Sequence, residues 1–143
     1  MERINILLIE DNEGDIILTQ ESLSESKIKN KIFIVKDGDE ALKFLGSIKD
    51  ATALPDIIIM DWNLPKVHGR EVLSRIKNDQ KLKSIPVLVF TTTPSNSEIL
   101  DVYEHRANCC ISKPSNFRDY VNVIKTIEDF WLNRVRLPIK KYQ

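Results

Sequence analysis

The chain reads as an α/β fold, a doubly wound sheet of five parallel strands, on three observations. Five short runs are almost wholly apolar, which suits strands covered on both faces. Segments of helical period separate them and give five βα units. The runs also end in charge: Glu10 and Asp11 close the first, Asp61 the third and Lys113 the last. In open α/β sheets, ligands sit just outside the carboxyl ends of the strands.

Each element follows in order. Ile4 to Ile9 is the first strand, and Asp15 to Glu25 carries a helical pattern. Lys31 to Val35 is the second strand, and Glu40 to Ile48 the second helix. Ile57 to Met60 is the third strand; Arg70 to Asn78, with Val72, Leu73 and Ile76 on one face, is the third helix. Val87 to Phe90 forms the fourth strand and Ser97 to Glu104 a shorter helix. Cys109 to Ser112 is a short fifth strand before a long last helix from Phe117 to about Arg134. Right-handed crossovers then place helices on both faces. Asp37-Gly38, Pro65, Gly69 and Pro86 supply turns between these elements, and Ser115-Asn116 can cap the last helix. No repeat, low-complexity tract or interdomain linker interrupts the series.

A length of 143 residues suits one domain with a core of useful size. Lys plus Arg and Asp plus Glu are equal at 21, so no bulk basic charge argues for nucleic acid. No apolar run approaches the roughly 20 residues of a membrane helix. The opening residues enter a strand pattern with no signal-peptide core. Cys109 and Cys110 are adjacent and unsuited to an ordinary bridge, so a cytoplasmic location is expected.

The loop Glu10-Asp11-Asn12-Glu13-Gly14-Asp15 carries four acids where a mononucleotide-binding fold would place glycines or hydroxyls. It would repel a bare phosphate, and neither G-x-G-x-x-G nor a Walker lysine loop is present. Clustered carboxylates at one sheet end call for a compensating cation, and Mg²⁺ suits an all-oxygen set. The plainer alternative is that Glu10 and Asp11 are solvated acids opening a helix, where the dipole favours them.

With these residues placed, the chain resembles the receiver domain of two-component response regulators over roughly residues 4 to 128. The acidic pair falls on Glu10-Asp11. The phosphoacceptor motif falls on Asp61-Trp62-Asn63-Leu64-Pro65-Lys66-Val67-His68-Gly69, the strand-four hydroxyl on Thr91, and the lysine–proline pair on Lys113-Pro114. The resemblance implies strand order 2-1-3-4-5, residues 1–128 as the receiver, and 129–143 as an extension of the last helix plus tail, with no separate output domain.

It further implies that Asp61 accepts a phosphoryl group from a sensor histidine kinase. Glu10, Asp11, Asp61 and the backbone carbonyl of Asn63 would hold Mg²⁺. Thr91, Thr92 and Lys113 would form the phosphoryl-binding and switch set. The side chains of Asn63 and Thr93 occupy positions that tune removal of the phosphoryl group by water. A cis Lys113–Pro114 bond is also implied. One departure stands out: Cys110 occupies the strand-five switch position where receivers usually carry Tyr or Phe.

Tyr120, Ile124, Ile127 and Trp131 follow one face of the last helix, and the Phe130-Trp131 tail is similar to that of phytochrome-associated single-domain regulators, a subgroup that tends to dimerise. These four residues are therefore expected at a homodimer interface, with folding back over the chain's own domain as the alternative. A phytochrome-type kinase is the partner this likeness suggests; the downstream target is expected to be a protein. The basic residues Arg134, Arg136, Lys140 and Lys141 are too few to argue DNA binding. His68 and His105 are read as isolated surface residues, the two cysteines as small apolar packing, Lys66 as solvated, and Trp62 as a loop residue shielding the site. Two other functions compete. A haloacid-dehalogenase-type phosphatase would want an acid two residues after Asp61, where this chain has Asn63. A pseudo-receiver acting as a passive binding module would fit Cys110 but not the complete acidic set.

Overall fold

The computed structural model describes residues 3–138. Five strands, β1 (Ile4–Ile9), β2 (Asn30–Val35), β3 (Ile57–Met60), β4 (Val87–Thr92) and β5 (Cys109–Lys113), form one parallel sheet in the order β2-β1-β3-β4-β5. The helices are α1 (Glu13–Ser24), α2 (Gly38–Ser47), α3 (Gly69–Lys77), α4 (Asn96–Glu104) and α5 (Phe117–Ile127). The expected fold and strand order are both present. Four helices open on side chains that accept the amide N–H of the third residue on: Asn12, Asp37, Ser95 and Asn116.

Alternation along each strand divides the core. Leu7, Ile9, Ile58, Met60, Val87 and Val89 face α2, α3 and α4, while Ile6, Leu8, Ile57, Ile59, Leu88 and Phe90 face α1 and α5. Registration then decides where the charges emerge. Ile9 is paired with Met60, so Glu10 and Asp61 leave adjacent strands side by side, and the Asp61 amide donates to the Ile9 carbonyl at 3.0 Å. Thr92 pairs with Lys113, bringing the ends of β4 and β5 to the same edge. At the opposite end Lys77 is buried without a carboxylate partner among the described residues; its Nζ donates to the carbonyls of Lys83 and Ile85 and to Asn108 Oδ1, at 3.2, 2.8 and 3.3 Å.

Three expectations are corrected. The last helix does not run in α form to Arg134: α5 stops at Ile127, and Glu128–Arg134 is π-helical. Hydrogen bonds spanning five residues bring Leu132 round to the buried side that Ile127 occupies. Tyr120, Ile124 and Ile127 are at most 3% exposed, packed under the sheet, and Trp131 lies partly buried against the same cluster. The apolar arc thus serves this domain's own core, which is the alternative the sequence left open; Tyr120, Ile124 and Ile127 present no dimer face, and Trp131 leaves only part of its surface exposed. The Lys113–Pro114 bond is trans, since no cis peptide occurs among the described residues; trans is the favoured state, and Lys113 reaches the acids from it. Residues 139–143, including Lys140 and Lys141, lie outside the described residues.

Candidate phosphoryl and metal site

The site is built from the strand ends inward. Asp61, just beyond β3, has its two oxygens held differently: Oδ1 accepts from the Thr91 hydroxyl and the Trp62 amide, both at 2.7 Å, and Oδ2 accepts from Lys113 Nζ at 3.1 Å. Lys113 donates also to Glu10 Oε1 at 2.5 Å and to Asp15 Oδ2 at 3.0 Å. Glu10 takes a further bond from the Asn12 amide at 3.2 Å, so the loop that caps α1 also orients this carboxylate. Asp11 is exposed, yet one oxygen each of Glu10, Asp11 and Asp61 lie within 4.8 Å of one another.

Burial and charge oppose each other here. Removal from water pushes Glu10 up to about 7, although the hydrogen bond and charge of Lys113 pull the other way. Burial likewise disfavours the Lys113 ammonium, but the bond to Glu10 and the charges of Glu10 and Asp61 outweigh it and hold the lysine above its ordinary range. One ammonium is thus firmly charged among carboxylates that exceed it in number. Such a cluster is short of positive charge, and its donors are all oxygen. That chemistry fits a small hard divalent cation.

The other expected residues fall into place unevenly. Thr91 is buried in the site, while Thr92 and Thr93 are exposed at the mouth, Thr93 with a positive φ of 35°. Asn63 is exposed and its side chain lies 3.4 Å from His68 Nε2. Cys110, partly buried, points into the α2–α4 side of the core, and Cys109 into the other. The Cys110 amide donates to the hydroxyl of Tyr103, so an aromatic from α4 approaches β5 where the strand itself lacks one. Lys66 is exposed, as expected, with Asp37 3.6 Å away.

Trp62 corrects its expectation: it is 1% exposed and belongs to the core. The turn after β3 doubles back so closely that a Cβ on Gly69 would stand 2.6 Å from the Trp62 carbonyl, and this folds the indole inward. His68 and His105 are not isolated surface residues either. Both are partly buried and meet the indole edge-on, with ring centres 5.3 and 6.3 Å away. His105 also faces Asp101, which accepts from Arg70 Nε at 2.7 Å and ties α4 to α3.

Asp15 was not foreseen as a partner of Lys113. Its only signal was membership of the four-acid loop, at a first-turn position that helix electrostatics alone would explain.

Comparison with known proteins agrees with this geometry. Residues 6–125 match the model of the response regulator receiver domain. Response regulator Rcp1 of Synechocystis sp. is 41% identical over 136 residues, covering 93% of this chain and 92% of Rcp1. The probable methanogenesis regulatory protein FilR2 of Methanothrix harundinacea is 34% identical over 134 residues, covering 93% and 86%. Among solved structures, the Mn(2+)-bound form of Rcp1 aligns with a TM-score of 0.89 at 40% identity, covering 95% of this chain and 99% of that one. The phosphorylated cyanobacterial phytochrome response regulator RcpA aligns at 0.90 and 41%, covering 96% and 100%.

Proposed function

Because the chain belongs to the response regulator receiver domain family, we propose that it is a stand-alone receiver which takes a phosphoryl group on Asp61 from the phosphohistidine of a sensor kinase. The observation that carries this is the placement of Asp61: a nucleophilic carboxylate held by Thr91, Trp62 and Lys113, with Glu10 and Asp11 beside it. An Asp61 oxygen attacks phosphorus, an O–P bond forms, the N–P bond breaks, and the kinase imidazole leaves with the bonding pair. Lys113 pairs with a phosphoryl oxygen as a compact charge. The Thr91 hydroxyl, now on Asp61, turns to the acyl phosphate, and Thr92 follows at the end of β4. Asn63 and Thr93 stand at the exposed mouth, where they set the access of water to phosphorus.

Glu10, Asp11 and Asp61, with the backbone carbonyl of Asn63, would hold Mg²⁺. When bound, the ion offsets charge on the phosphoryl oxygens. The chain thus catalyses only its own phosphorylation and dephosphorylation. The likeness to Rcp1 and RcpA, and coverage of nearly all of both, support residues 1–128 as the receiver, a phytochrome-type kinase as partner, a cytoplasmic setting and output through a protein target. Among the described residues, no helix is long and apolar enough to cross a membrane. Homodimerisation belongs to the same reading, through surface that α4 and α5 leave exposed.

The test is incubation with Mg²⁺ and acetyl phosphate, read by intact mass. The wild-type chain should gain one phosphoryl group that hydroxylamine removes, and Asp61→Asn should gain none. An Asp61→Asn chain labelled as fully as wild type would overturn the assignment.

A further inference from the structure

The ammonium of Lys113 has three donors and no acceptor, and three carboxylates take them: Glu10 at 2.5 Å, Asp15 at 3.0 Å and Asp61 at 3.1 Å. A phosphoryl oxygen that pairs with Lys113 therefore arrives at a group whose donors are already engaged. The three acids are not equally able to make room. The Glu10 side chain is 4% exposed, and leaving Lys113 would deprive a buried carboxyl of its shortest hydrogen bond with no solvent to replace it. Asp61 is the acceptor and stays at the reacting centre. The Asp15 side chain is 24% exposed, reaches solvent, and stands in the first turn of α1, where the helix N-terminus supports a negative charge without help from the lysine.

We propose that Asp15 is a placeholder for the phosphoryl group. It occupies one donor of Lys113 in the unphosphorylated chain and gives that donor up when an anion binds at Asp61. The inference rests on the reading of Asp61 as phosphoacceptor, and adds a positioning residue that lowers the affinity of the site for the incoming group. Asp15 lies on α1, which packs against α5, and the Thr19 and Tyr120 hydroxyls meet 3.3 Å apart between these helices. Release of Asp15 therefore also removes a tie between α1 and the end of β5.

The experiment uses beryllofluoride with Mg²⁺ as the phosphoryl mimic, titrated by calorimetry. Asp15→Asn keeps the size and an acceptor oxygen but removes the charge. Its half-saturating beryllofluoride concentration should fall roughly two- to fivefold, the range expected for an ion pair with one partly exposed member. Glu13→Gln is the control, since Glu13 stands in the same helical turn but pairs with Lys36 rather than Lys113; it should leave the affinity unchanged. Unchanged or weaker binding by Asp15→Asn, or equal tightening by Glu13→Gln, overturns the proposal. Should Asp15→Asn fail to fold by circular dichroism, Asp15→Ser takes its place. Wild-type chain that takes up no beryllofluoride would instead count against Asp61 as acceptor, so the two failures are distinct.

Discussion

At the scale of single residues, Glu10 is where burial and function pull apart. Its carboxyl is buried beside Lys113 and pushed up to about 7, against an ordinary 4.5. A raised carboxyl binds its proton more tightly in the folded chain than in the unfolded one. The stability this gives is complete below pH 4.5 and is lost as pH rises through about 7. Lys113, also raised but titrating far above this window, adds no slope within it. Glu10 should therefore contribute a fall in the urea midpoint of the chain in EDTA from about pH 5 to about pH 8, while His68, held below its ordinary range by burial, works with the opposite sign. Glu10→Gln should flatten that fall; a variant that keeps the full slope would place its origin elsewhere. A divalent cation, favouring the ionised form, should oppose it.

The same residue scale separates what the sequence reveals from what it hides. Glu10, Asp11, Asp61 and Lys113 are legible because core packing alone gives no reason for an apolar strand to end in charge. Asp15 is not, because an acid in a first helical turn satisfies the dipole unaided. Its reach to Lys113, 98 positions away, depends on how α1 lies against β5. Trp62 is hidden for a different reason. An aromatic after a strand reads as a loop residue until the close return of Gly69 turns it inward. Gly38 repeats this device: a Cβ there would fall 1.9 Å from the Val67 carbonyl, so the loop after β3 can rest on the start of α2.

At the scale of elements, the central strands β1, β3 and β4 were legible nearly to their ends, since burial on both faces leaves them almost wholly apolar, whereas the edge strands β2 and β5 are only partly buried. The end of α5 was not. An apolar arc of Tyr120, Ile124, Ile127 and Trp131 suits a partner's surface as well as the chain's own sheet, and periodicity does not distinguish them. The π-helical turn resolves the matter by carrying Leu132 into the core alongside Ile127. Leu132→Ala should then cost about 2–5 kcal/mol, as for other buried leucines. Denaturant melts measure it directly. A loss below about 0.5 kcal/mol, the range of surface changes, would mean that the segment is not anchored.

At the scale of the whole molecule, apolar surface remains near the β5 edge, on Leu100 of α4 and Phe117 of α5, 60% and 69% exposed. The proposed homodimer would use this surface in place of the buried residues first expected there. Light scattering of the wild-type chain should show a dimer that Leu100→Arg with Phe117→Arg converts to monomer. A wild-type mass that stays monomeric at every concentration removes the dimer.

The helices are also held unequally. Under α1 and α5 lie Ile16, Leu23, Tyr120, Ile124 and Ile127, whereas α4 buries Val102 alone and relies on polar ties, among them the Tyr103 hydroxyl on the Cys110 amide. That amide projects from the outer edge of β5, with no further strand beyond it among the described residues. Its protection from hydrogen exchange is thus governed by the docking of one tyrosine rather than by the sheet. Tyr103→Phe should speed exchange at Cys110 while leaving the β5 amides bonded to β4 slow. In the intact chain this single proton becomes a clock for the undocking of α4, one that can be read with no label attached.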